Sequence, residues 1–204
     1  MKEEKDYIQD IVEIRSMMER SSKFLSLSGW AGIMAGIYAL AGAFIAYKFY
    51  DFNPARVVED ASQSESLTKV VFLAVIIFVL AIVTAVFLSY QKAAKKGEKI
   101  WNTTSRQLLM NMAVPFVAGG LLILILISKG FIGFVAPFTL LFYGLALFNA
   151  SKFTYDAVKF LGLVEIALGL ISAYFVEFSL LFWAAGFGVA HIIYGIYIHY
   201  RYEK

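Results

Sequence analysis

The chain contains no cysteine, which excludes disulfides, thiolate metal sites and cysteine nucleophiles and leaves cysteine usage silent on redox compartment. Charge is sparse too. Only 16% of its 204 residues are charged and 60% are hydrophobic, whereas a soluble domain carries about 25% and about 45–50%. So short a chain has no core large enough to hide that apolar surface, and lipid is the expected solvent. The net charge of +3 is too small to imply a nucleic-acid partner. No cleavable signal peptide is expected, because the first 23 residues are highly charged and the apolar run behind them is too long for one.

What is present is a series of long apolar runs. A membrane-crossing helix needs about 20 mostly apolar residues. Six segments qualify, at about 25–47, 70–90, 108–128, 131–150, 158–176 and 179–200. Lys129 and Gly130 alone separate the third and fourth, and Glu177 and Phe178 the fifth and sixth. Such short links force antiparallel hairpins. The expected fold is an all-α integral membrane protein, a six-helix bundle of three hairpins over residues 24–204, preceded by a cytoplasmic amphipathic helix over residues 1–23.

Cation placement orients the spans. Fourteen of the eighteen Lys and Arg residues fall on the side of the chain ends, leaving Lys48, Arg56, Lys69 and Lys129 opposite. Both ends are therefore expected in the cytoplasm, with the protein in the inner (plasma) membrane. Residues 51–68 form an outer loop too short for a domain, and in 91–107 Thr104 and Gln107 have capping-box spacing. Pro137, near the outer end of its span, reads as structural.

In the first 23 residues Tyr7, Ile11, Ile14 and Met18 mark one helical face. Acidic residues offset the cations there, which is unlike a polybasic membrane hook. The segment reads as a helix lying under the bundle or at the interface, or as a docking surface for a cytoplasmic partner or a second copy.

The last two hairpins resemble each other weakly. Val117-Ala118-Gly119-Gly120 and Ala167-Leu168-Gly169-Leu170 stand fifty apart, and Tyr143-Gly144 and Tyr194-Gly195 fifty-one apart. Gly162–Tyr200 contains Gly-Leu-Val-Glu-Ile-Ala-Leu-Gly-Leu, a short turn, then Gly-Phe-Gly-Val-Ala-His-Ile-Ile-Tyr-Gly-Ile. This pattern resembles the hairpins of small bacterial six-span membrane proteins, among them the HdeD-type acid-resistance family. The resemblance covers about a fifth of the chain and rests on glycine spacing. The turn lacks the proline often found in that family, and the charged amino-terminal helix lies outside the pattern. The resemblance implies a six-span fold and bacterial origin, and carries over no functional residue.

Ionisable residues well inside a span are costly and mark the first place to look for function. Glu165 and His191 lie about 10 Å and 13 Å from the cytoplasmic ends of the fifth and sixth spans, at ~1.5 Å per residue, so their depths nearly match. Gly162, Glu165, Gly169 and Ser172 share one face; Gly188, His191, Gly195 and His199 share another. Small residues let backbones approach, so these faces are expected to meet each other or the first span, whose seams are Ser28, Gly32 and Gly36, and Ala31, Ala35, Ala39 and Ala43. Pro115 frees the carbonyl of Asn111. With Asn149, Tyr143 and Tyr194, these residues form an expected inner-leaflet polar cluster centred on Glu165 and His191, opening toward the cytoplasm if it opens at all.

The plainest reading of Glu165 and His191 is a hydrogen bond holding two helices together; a proton-responsive or ligand-binding site, and a catalytic dyad, are the sharper ones. No metal site or cofactor is expected. His191 and His199 lie about 12 Å apart along the helix, too far to share an ion, and Lys152, Thr154, Tyr155, Asp156 and Lys159 read as a solvated turn. Three functions remain. The first is a non-enzymatic binding, sensing or accessory protein. The second is a small oligomeric transporter or channel with a Glu/His relay, and the third is a lipid-directed intramembrane enzyme. The first demands least of the sequence. The second span, almost unbroken Val, Ile, Leu, Phe and Ala, is the expected lipid face.

Overall fold

The structure is a computed structural model, which describes residues 23–54, 62–95, 97 and 100–203. The expected amino-terminal helix falls outside these residues except for Lys23, as does the middle of the 51–68 loop.

Each apolar run forms a helix, and all six are long and apolar enough to cross a membrane. The chain is an all-α, multi-pass membrane protein. Its helices are α1 (Gly29–Phe49), α2 (Ser62–Lys95), α3 (Thr103–Ser128), α4 (Val135–Ala150), α5 (Asp156–Tyr174) and α6 (Val176–Glu203). Helix α6 alternates between α and the wider π winding: Ser179–Trp183 and His191–Ile198 are α, Ala184–Ala190 and His199–Glu203 are π. Six crossings place residues 23–28, 100–102, 151–155 and the end of α6 on one side, here the terminal side. Residues 50–54, 129–131 and the α5–α6 turn lie on the far side.

Several boundaries shift from the sequence reading for identifiable reasons. Helix α3 starts earlier than the Thr104–Gln107 spacing suggests, because Asn102 is its cap. The Asn102 side chain accepts the Ser105 N–H at 2.8 Å, and Ser105 Oγ accepts the Asn102 N–H at 2.9 Å. At the other end, Gly130 takes φ +78°, which lets its N–H reach the Ile127 carbonyl at 3.1 Å and the Phe131 N–H reach Leu126 at 2.9 Å. That arrangement satisfies the last carbonyls of α3 and turns the chain into α4 within a few residues. Pro137 lies in the first turn of α4, where a missing N–H costs nothing. Helix α2 runs to Lys95, well past its apolar run.

Consecutive helices form the expected hairpins, but the closest packing joins different hairpins, α4 to α5 and α6 to α1. Glycine makes both approaches. A Cβ on Gly162 would stand 2.8 Å from the Gly144 carbonyl, and one on Gly169 would stand 2.9 Å from that of Pro137. On α6, a Cβ on Gly195 would stand 2.5 Å from the Gly29 carbonyl, and one on Gly36 would stand 2.6 Å from that of Gly188. The two small-residue faces thus meet different neighbours: that of α5 lies on α4, that of α6 on α1. The buried residues of α1 are Gly29, Gly32, Gly36, Ala39, Gly42, Ala43 and Ala46, taking Gly32 and Gly36 from one seam read from the sequence and Ala39 and Ala43 from the other. Helices α1, α4, α5 and α6 form the core. Helix α2 packs chiefly on α1 and buries none of its apolar window, which suits a lipid face.

Candidate functional site

Helix α5 buries Val158, Leu161, Gly162, Glu165, Gly169 and Ser172, one continuous stripe toward α4 and α6. Glu165 is therefore forced inside by helical phase, between two glycines that draw α4 close. Its exposure is 0%, and that of His191 is 5%.

His191 Nδ1 lies 3.3 Å from Glu165 Oε1 and 3.0 Å from the Gly186 carbonyl oxygen. That carbonyl can only accept, so Nδ1 carries a hydrogen, directed mainly at Gly186. The approach to Glu165 is an electrostatic contact rather than a formed hydrogen bond. On the other ring nitrogen, Nε2 lies 2.9 Å from Tyr143 Oη. A neutral imidazole accepts the tyrosine hydrogen there; an imidazolium donates its own. Tyr143, Phe187 and His191 also stack, with ring centroids 5.0–5.8 Å apart, which fixes the imidazole plane.

Gly186 creates the space for the carboxylate. A Cβ at this position would stand 2.5 Å from Glu165 Oε2. Gly186 also belongs to the π-wound stretch Ala184–Ala190, and such widened turns inside α-helices are frequent at functional sites. Neither oxygen of Glu165 has a hydrogen-bond partner among the described residues, and the same holds for the Ser172 and Ser179 hydroxyls. A lone buried charge is expensive. One proton shared between Glu165 and His191 leaves the pair neutral, whichever of the two holds it. The arrangement can thus hold a proton and pass it between carboxylate, imidazole and phenol.

Of the residues singled out in the sequence, Glu165, His191 and Tyr143 come together. Asn111 does not: it is exposed, and its side chain donates to the Gln107 carbonyl at 2.8 Å on its own helix. Asn149 is half-buried, and no hydrogen bond joins it to the pair. Tyr194 packs instead against an apolar cluster of Leu147, Tyr155, Val158, Leu161 and Ile198. That cluster lies between the pair and the terminal side.

A second polar group was not legible in the sequence. Lys92 Nζ donates to the Leu27 carbonyl at 2.6 Å and to Glu203 Oε1 at 3.0 Å. Glu203 Oε1 also accepts the Gly29 N–H at 2.9 Å, and its Oε2 lies 2.8 Å from His199 Nδ1. This clasp ties the ends of α2 and α6 to the start of α1. The loop at 151–155 is likewise no simple solvated turn. Thr154 is fully buried and donates to the Phe24 carbonyl at 2.9 Å, and the Tyr155 hydroxyl donates to the Leu25 carbonyl. Distance along the chain hid these contacts, since each partner looks like an ordinary charged or polar end of a span.

Comparisons with protein-family models, with curated proteins and with solved structures find no match to this chain.

Proposed function

We propose that this chain is a non-enzymatic, membrane-embedded sensing protein whose responsive element is the Glu165–His191–Tyr143 group. One observation carries the reading: a fully buried carboxyl, without a hydrogen-bond donor among the described residues, faces an imidazole at 3.3 Å. A purely structural pair would satisfy the carboxylate, because an unpaired buried acceptor wastes stability. Here the balance depends on a single proton. Gain or loss of that proton changes the charge between α5 and α6, and the glycines flanking Glu165 and His191 on the same faces lock those helices onto α4 and α1, so the packing of all four core helices follows it.

The cation distribution supports a plasma-membrane protein with both ends in the cytoplasm. The glycine spacing of residues 162–200 supports a bacterial origin through its resemblance to HdeD-type hairpins. Residues 1–23 offer the segment through which a change in the bundle reaches a cytoplasmic partner.

Thermal unfolding in lipid nanodiscs across a range of pH tests the reading. The wild type should show a pH-dependent step in its midpoint that is lost in both Glu165→Gln and His191→Gln. Superimposable pH profiles for all three proteins would refute it.

A further inference from the structure

Three polar groups are fully buried and lack a hydrogen-bond partner among the described residues: the Glu165 carboxyl and the hydroxyls of Ser172 and Ser179. They are not scattered. Glu165 and Ser172 stand seven residues apart on the buried stripe of α5, two turns or about 10 Å along the axis. Ser179 opens the next helical segment, just past the far-side turn. Along the bundle axis the three therefore fall in order from its centre to its far side.

The opposite direction is closed. Between Glu165 and the terminal side lie Leu147, Val158, Leu161 and Ile198, all buried, with Tyr194 packed against them. The two directions differ in hydroxyls rather than in packing: Ser172 and Ser179, without a partner among the described residues, lie on the far side of the pair, where Ala46, Phe52 and Ile132 close the end of the bundle, whereas the terminal side next to the pair is filled by the cluster of Leu147, Val158, Leu161 and Ile198.

Buried hydroxyls are satisfied by protein or by water. We propose that Ser179, Ser172 and Glu165 line a narrow file of water through which protons reach the buried pair from the side opposite the chain termini. About three waters at ~2.8 Å spacing bridge the interval from Ser172 to Glu165. The species conducted is the proton: one proton taken up raises the charge of the neutral pair by one, and its return along the file restores it. The inference deepens the sensing reading and rests on it, because it assigns the side of the membrane that is sensed. It also reverses the cytoplasmic opening expected from the sequence.

The absence of cysteine makes a direct test available. Ser172→Cys, Ser179→Cys and, in the aliphatic layer, Leu161→Cys are each the only thiol of their protein. Silver ion, a small monovalent cation that binds thiolate, is added from one side of sealed vesicles of known protein orientation. Remaining thiol is then counted with maleimide after solubilisation. The file predicts loss of the Ser172 and Ser179 variants' thiols to silver added on the far side only, with the Leu161 variant's thiol untouched from that side.

Protection of Ser172→Cys from the far side, or equal loss from both sides, overturns the file. Should Ser172→Cys fail to fold, Ser179→Cys reads the outer end of the file, because Ser179 is itself fully buried and its protection from far-side silver overturns the file. The pH-dependent unfolding step of the wild type separates the two claims. A step beside a protected Ser172→Cys sinks the file and spares the pair. A reactive Ser172→Cys without any step strips the file of the sensing role assigned to it.

Discussion

The carboxylate of Glu165 occupies the space that any side chain at Gly186 would need, with Oε2 2.5 Å from the ideal Cβ position there. The same Cβ would stand 2.5 Å from Leu140 Cδ2. A Gly→Ala change inside a helix normally gains roughly 0.5–1 kcal/mol. At this site the clash outweighs the gain, since overpacking costs about 1–3 kcal/mol. Gly186→Ala should therefore lower the unfolding midpoint in nanodiscs, and Glu165→Ala should remove part of that loss. A cost unchanged in the Glu165→Ala background would mean that Gly186 does not house the carboxyl.

Glu165 and His191 should also be energetically coupled. Removing either partner leaves the other buried with unmet electrostatics, at a cost of about 3–5 kcal/mol for a buried ion pair. In Glu165→Gln combined with His191→Ala, the second substitution finds the contact already gone. The double variant should lose less than the sum of the singles by more than ~0.5 kcal/mol. Additive losses in equilibrium unfolding would separate the two residues.

Composition and hydropathy alone carried the six helices, since lipid demands long apolar runs. Matched depth and helical phase then brought Glu165 to His191, although the glycines of those faces, Gly162, Gly169, Gly188 and Gly195, touch α4 and α1 rather than each other. The partner of each face was not legible. Glycine spacing says that a helix is approached, not by which neighbour, and the closest contacts here cross between hairpins. Tyr143 was found by depth, whereas Asn111 at similar depth turned outward and bonded its own helix. The clasp of Lys92 and Glu203 was hidden because 111 residues separate its two ends.

That clasp should hold α1, α2 and α6 together at the terminal side. The side chains of Lys92 and Glu203 are only 13% and 12% exposed, so salt screens them weakly. Lys92→Met strips a donor from both Glu203 and the Leu27 carbonyl, which should cost about 1–3 kcal/mol. Glu203→Gln keeps an acceptor for the Gly29 N–H and should cost less. With both substitutions present the second finds the Lys92–Glu203 contact already gone, so the double variant should lose less than the sum of the two singles. The three unfolding midpoints decide the matter, and a Lys92→Met protein indistinguishable from wild type would reduce the clasp to a surface contact.

Glycines of the same sequence appearance should respond with opposite sign. Gly195→Ala would put a Cβ 2.5 Å from the Gly29 carbonyl and 2.6 Å from the Ile33 nitrogen, both backbone atoms that cannot rotate away. Helices α1 and α6 would have to separate, at about 1–3 kcal/mol. Gly120, in the middle of α3, has nothing among the described residues within 4 Å of its ideal Cβ. There the helical preference for alanine acts unopposed, and Gly120→Ala should stabilise by roughly 0.5–1 kcal/mol. Paired thermal melts of the two variants read the difference directly. Stabilisation by both would show that glycine acts at these two sites through backbone entropy alone, and that the α1–α6 approach at Gly29 and Gly195 is not what holds those helices.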